Sequence, residues 1–149
     1  FMSNSFAAYN IKILHEINGF PTDLIFGEDM YVSARMVLDG YDTYYNSNAI
    51  VKHSHNYSLF EEFERYFDIG VFHASTPFLL VEFSSPNKEG KKYLISELKY
   101  TFNNGGLIWF FNSLIRSFLK ISAYKLGTQY SKININLCRV MSMNKNYWK

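Results

Sequence analysis

Gly27-Glu28-Asp29-Met30, continuing through Tyr31-Val32-Ser33-Ala34-Arg35-Met36-Val37 to Leu38, sets two adjacent carboxylates at the mouth of a helix. The stretch follows a breaker-rich loop from Pro21 to Gly27, after which Met30, Ala34, Val37 and Leu38 recur at helical spacing. Unpaired backbone N–H groups and the positive end of the helix dipole favour negative charge at that place. Two readings share this fact. An Asp there caps the helix, as Asp commonly does, or one of the two carboxylates stands ready as an anionic base.

Working outward toward the amino terminus, Phe1 to Ala8 reads as extended or irregular, and Asn10 can cap a helix from Ile11 to Ile17. Asn18-Gly19 closes it, since both residues tolerate the left-handed backbone. The chain begins on an apolar, small-residue segment, as the latter part of a longer polypeptide would. Toward the carboxyl terminus, Asp39-Gly40 stops the second helix. Tyr41 to Asn46 then has the Tyr and Thr content of a strand, Asn46-Ser47-Asn48 a turn, and Ala49-Ile50-Val51 a return strand.

Ser58 followed three residues later by Glu61 is a capping box. The helix it opens places Phe60, Phe63, Phe67 and Val71 on an apparent core face and Glu61, Glu62, Glu64, Arg65 and Asp68 on a wet one. Pro77 is tolerable in a first turn or ends the helix near Ser75. Ser84 to Gly90 reads as a loop, Lys91 to Thr101 as a further helix, and Asn103-Asn104-Gly105-Gly106 as its break.

From Leu107 to Ile121 the residues are apolar except for a stripe of Asn112, Ser113, Arg116, Ser117 and Lys120. A membrane-spanning helix needs about 20 predominantly apolar residues, and Arg116 interrupts this run too early. Burial on most sides is the favoured expectation. The rival is a helix lying in a bilayer interface, which the acid-free tail from Ser131 to Lys149 suits through its attraction to anionic lipid.

The 149 residues suit one domain of ordinary size, and an aromatic content of 19% excludes disorder. A net charge of +2 is too small for a phosphate-binding surface, so nucleic acid is not an expected partner. The single Cys138 permits no intramolecular disulfide and fits a reducing compartment or indifference to redox. His53 and His55 would share one face of a strand, within reach of one divalent ion if a third ligand, a carboxylate, came from elsewhere.

The order of Ser3 to Ala8, Ile17-Asn18-Gly19-Phe20-Pro21, Gly27-Glu28-Asp29, Leu38-Asp39-Gly40-Tyr41, Val51 through Ser58 and Arg65 through Gly70 resembles the second half of family 2 glycosyltransferases. The likeness is to the bacterial rhamnosyltransferase-like branch, and Tyr124 to Gly127 and Ser142 to Trp148 are similar to the end of that branch. The resemblance implies an α/β class, the C-terminal half of a GT-A fold with a short β-hairpin or edge strands and a mainly helical C-terminal extension. Residues 1–75 would form the acceptor-side half and 76–149 the extension. Asp29 would be the base of an inverting sugar transferase, and Glu28 would orient it or the acceptor. His53, with His55 second, would complete a Mn or Mg site.

The partners so implied are a nucleotide-sugar donor and a glycan or lipid-linked acceptor of a cell-surface polysaccharide. The place implied is cytoplasmic, at the inner face of the plasma membrane, with peripheral membrane contact. The family's Asp-x-Asp is absent from this chain, so the polypeptide as given is expected to lack turnover and to self-associate through the face its other half would cover. Two rivals remain: a non-catalytic helical module that binds a partner or a membrane, and a small metal-dependent hydrolase using His53, His55 and Asp29.

Overall fold

A computed structural model describes residues 3–83 and 87–149, and it forms two compact units, Phe1–Asn56 and Tyr57–Lys149. In the first unit, α1 (Ile11–Glu16) is capped by Asn10, whose side chain accepts from the Lys12 N–H at 3.1 Å. It closes where expected, with Asn18 and Gly19 at φ of 66° and 73°. Tyr41 returns to it, its hydroxyl donating to Glu16 at 2.6 Å.

Helix α2 (Glu28–Leu38) buries Val32, Ser33, Ala34 and Met36, and with Ile25 these make the small core of this unit. Of the residues that the spacing marks, Ala34 is buried and Met30 partly so. Val37 and Leu38 are 40% and 44% exposed.

The α/β, GT-A-type fold with its hairpin is not what forms. Among the described residues no strand is present, and the secondary structure is helical. The turn at Asn46 does form, with Ala49 N–H donating to the Asn46 carbonyl at 3.1 Å and Asn48 N–H to the Asn46 side chain at 3.0 Å. The segments on either side do not pair. Tyr44 and Tyr45 are 92% and 88% exposed, so the β-prone stretch has no sheet to join, and a lone hairpin is at best marginal in water.

The second unit is built on α3 (Leu59–Ser75) and α6 (Gly106–Gly127). The capping box forms: Ser58 Oγ accepts from the Glu61 N–H at 3.3 Å, and Glu61 accepts from the Ser58 N–H at 2.8 Å. Hydrogen bonding from Ser58 holds the Glu61 carboxyl below its usual range. After Thr76, α4 (Pro77–Glu82) carries Pro77 in its first turn, where a missing N–H costs nothing. The expected loop Ser84 to Gly90 lies partly on residues 84–86, outside those described, and from Asn87 the chain is already helical. Helix α5 (Asn87–Tyr100) passes through a π-turn at Thr101–Gly105 into α6, whose first residue, Gly106, has φ 74°. That left-handed step is where the expected break falls.

Helices α3 and α6 cross at two glycines. A Cβ on Gly127 would lie 3.0 Å from Gly70 Cα, and one on Gly70 would lie 2.9 Å from Gly127 Cα, so only hydrogen fits between the backbones. Near the crossing, His73 Nδ1 and the Tyr124 hydroxyl are hydrogen-bonded at 3.0 Å. Burial lowers the His73 pKa and raises that of Tyr124.

The faces turned inside depart from expectation in part on α3 and wholly on α6. On α3 the expected core residues Phe67 and Val71 are fully buried, but Phe60 is 57% exposed and the supposedly wet Glu64 and Asp68 are only 6% and 2% exposed. On α6 the polar stripe turns inward. Ser113 and Ser117 are buried, and Arg116 and Lys120 meet Glu62 of α3 at 2.8 and 3.5 Å. The apolar face of α6, expected to be buried, faces outward.

The carboxyl-terminal segment explains the buried acids. Helix α7 (Ile135–Met141) and the turn Lys145–Tyr147 bring the chain back along α3. There Asp68 Oδ2 accepts from the N–H groups of Met143 and Asn144 at 3.0 and 3.1 Å. Lys145 reaches Glu64 at 3.5 Å, and Trp148 packs on Phe67, Tyr130 and Tyr147. Burial pushes the Asp68 carboxyl up to about 6 despite the hydrogen bonds from Ser142, Asn144 and Met143 that oppose the shift.

Candidate functional site

Gly27, at φ 74°, occupies the cap position of α2, a left-handed conformation that glycine adopts without a Cβ penalty. Glu28 and Asp29 are therefore the first two helical residues, and Glu28 is exposed. Asp29 does not cap through a vacant end. Its Oδ1 accepts from the N–H of Met30 at 2.8 Å, and its Oδ2 accepts from the N–H of Asn4 at 2.9 Å. A carboxylate has about four acceptor positions, so two amides orient the group and leave capacity for a hydroxyl proton.

The amino-terminal segment is held in turn. The Tyr9 hydroxyl donates to the Asn4 side-chain oxygen at 2.7 Å, and the Tyr9 ring packs edge-on against Phe20 with centroids 5.3 Å apart. Burial, then the negative charges of Asp29 and Glu28, raise the Tyr9 pKa. Tyr9, Asn4 and Asp29 thus form one chain of contacts around the acid. Asn4 and Tyr9 carry no motif of their own, and their place beside Asp29 depends on a contact spanning 25 residues.

His53 and His55 are exposed and lie on irregular backbone rather than on a strand end. Their rings nonetheless meet edge to face, with centroids 4.4 Å apart. Among the described residues no group of three or more His, Cys, Asp or Glu side chains is placed to hold a metal ion. Two imidazoles do not by themselves compose a divalent site. A groove of about 330 Å³ is lined by Leu59, Phe60, Phe63 and Leu119 in the second unit and includes none of the four predicted site residues.

The chain is similar to two curated O-antigen chain rhamnosyltransferases. To RfbN of Salmonella typhimurium it is 43% identical over 148 residues, which is 99% of this chain and 47% of the relative. To WbaN of Salmonella anatum it is 42% identical over the same length and the same shares. The chain therefore spans about half the length of the curated relatives it matches. No protein-family model matches it, and no solved structure matches it.

The likeness to rhamnosyltransferases agrees with the resemblance read from the motifs. The GT-A architecture attached to that resemblance is the part that the helical fold overturns.

Proposed function

We propose that the chain is part of an inverting sugar transferase of the family 2 type that adds rhamnose during synthesis of a cell-surface polysaccharide. The observation that carries this reading is the 43% identity over 148 residues to an O-antigen chain rhamnosyltransferase. The geometry around Asp29 supports its role as base.

In this reaction the acceptor hydroxyl gives its proton to the Asp29 carboxylate as its oxygen attacks the anomeric carbon of the donor. The bond from that carbon to the nucleoside diphosphate breaks, and its electron pair departs with the diphosphate. The Asn4 and Met30 amides hold the carboxylate against rotation, so its remaining lone pairs keep one direction. Glu28, exposed beside it, orients the acceptor sugar. A Mn or Mg ion would offset charge on the leaving diphosphate. His53 and His55 would supply part of its shell, since among the described residues no third His, Cys, Asp or Glu joins them. The hydrolase reading needs Asp29 and both histidines around one ion, a grouping not found among those residues.

The test is a chimera in which this chain replaces the aligned segment of the Salmonella typhimurium relative, assayed for rhamnose transfer in cells lacking the native gene. The unaltered segment is expected to restore transfer. Asp29→Asn is expected to abolish it while the protein accumulates normally. Failure of the unaltered chimera to transfer rhamnose would count against the shared activity, and full transfer by Asp29→Asn would remove Asp29 as the base.

A further inference from the structure

Helix α6 is amphipathic in the reverse of the usual sense. Its inward side is small or polar, with Ser113, Ser117, Ala123 and Gly127 against α3 and the two cations on Glu62. Its outward side carries Leu107, Phe111, Leu114 and Phe118 at three- and four-residue steps, and they are 66%, 55%, 43% and 73% exposed. Trp109, near the start of the helix, is 64% exposed. The groove at Leu59, Phe60, Phe63 and Leu119 carries this apolar surface on toward α3. A continuous face of this kind is unusual on a water-exposed protein and marks an interaction surface.

Charge selects the occupant. No Asp or Glu follows Glu97, whereas eight Lys and Arg do, among them Lys125, seven residues beyond Phe118 and so on the same face of α6. Arg116, Lys120 and Lys145 are matched by carboxylates of α3, and Lys125, Lys132, Arg139 and Lys149 stand in a stretch, from Leu98 to Lys149, that holds no acid. Two copies meeting through this face would set one acid-free basic surface on another. A surface that is both apolar and anionic matches it.

We infer that α6 lies in the plane of an anionic lipid bilayer, with Leu107, Phe111, Leu114 and Phe118 in the acyl boundary and Lys125 extended to the phosphates. Its 22 residues give a rod of about 33 Å lying flat. No helix among the described residues is long and apolar enough to cross a membrane, so the contact is interfacial. Ion pairs to Glu62 keep Arg116 and Lys120 on the α3 side, which fixes the apolar stripe outward before any lipid is met. The inference goes beyond sugar transfer and stands without it.

The experiment is flotation of the purified chain with vesicles of phosphatidylcholine alone and of phosphatidylcholine mixed with an equal part of phosphatidylglycerol. Binding is expected to the mixed vesicles and to weaken with added salt. The triple variant Phe111→Ser, Leu114→Ser, Phe118→Ser removes three exposed side chains and is expected to keep its helicity while partitioning falls by roughly two orders of magnitude. Lys125→Glu is expected to weaken binding to the mixed vesicles. Should the triple variant fail to fold, Trp109 in the unaltered chain decides: its emission should shift to shorter wavelength on adding mixed vesicles, Trp148 being already buried at 8% exposure. No flotation with mixed vesicles, or flotation indifferent to the triple substitution, would overturn the inference. So would an oligomer that the triple variant dissolves without any vesicle binding, since the face would then belong to a second copy. An unshifted Trp109 emission would overturn it as well.

Discussion

Replacing Gly127 by Ala puts the α3–α6 crossing to a test in which two effects oppose each other in sign. Gly127 ends α6, and Ala is the better helix former, so propensity alone predicts a gain of up to about 1 kcal/mol. The crossing predicts a loss. The new methyl would lie 3.0 Å from Gly70 Cα and from the Phe67 carbonyl carbon, against an ordinary contact of at least 3.4 Å, and would press closer still on the Phe67 oxygen. These are backbone atoms, which cannot swing aside as a side chain would. The helices must part, disturbing Phe67 and the His73–Tyr124 hydrogen bond. Overpacking of this kind costs about 1–3 kcal/mol or more, so a net loss near 2 kcal/mol is expected, or a fall in Tm of roughly 4–8 °C. Thermal and urea unfolding followed by far-ultraviolet circular dichroism measure it. Gly70→Ala should behave alike, and the double variant should lose less than the two single losses together, since helices already parted for one methyl admit the other. A Tm that holds or rises in Gly127→Ala would refute the crossing and, with it, the inward turn of the α6 polar stripe.

Asp68 has its pKa raised in the folded chain, to about 6, so the folded state binds this proton more tightly than the unfolded state does. Its contribution to stability is accordingly present at low pH and declines as pH rises from about 4 through about 6. Asp68→Asn should flatten that decline when urea midpoints are compared on either side of the window. His73, lowered by burial, acts in the opposite sense by losing stability as pH falls, and Asp68→Asn leaves that slope in place. Ser58→Ala removes the capping-box hydroxyl and should lower the thermal midpoint by roughly 2–4 °C, a loss Ser58→Thr should largely avoid. In the rhamnosyltransferase chimera, Tyr9→Phe frees the Asn4 side chain and should reduce the turnover rate by roughly tenfold with unchanged expression, through looser positioning of Asp29. An unchanged rate would detach Tyr9 from the site.

The carboxylate pair at the start of α2, the capping box at Ser58 and Glu61, the left-handed close at Asn18-Gly19 and the break at Gly106 were all legible in the amino-acid order. Each is governed by residues within one turn of one another. The acid at the helix mouth was legible for the same reason. Its restraint by Asn4 and Tyr9 was not, because an irregular segment shows no periodicity and the contact exists only once the chain has folded back.

Tertiary structure alone decided three further matters. Tyr41 to Val51 has the composition of strands, but a strand exists only with a partner to take its N–H and C=O groups, and none is placed beside it among the described residues. The hydrophobic periodicity of α3 placed Phe67 and Val71 inside, where they are. It could not show that Glu64 and Asp68 go inside as well, because the groups that meet them, the Met143 and Asn144 amides and Lys145, come from the far end of the chain. On α6 the crossing at Gly70 and Gly127 and the ion pairs to Glu62 hold the polar stripe against α3 and leave the apolar face outside. Amino-acid order alone determined where these helices begin and end, since caps and breakers act locally. Which side of each helix is buried depended on what the rest of the chain brought against it.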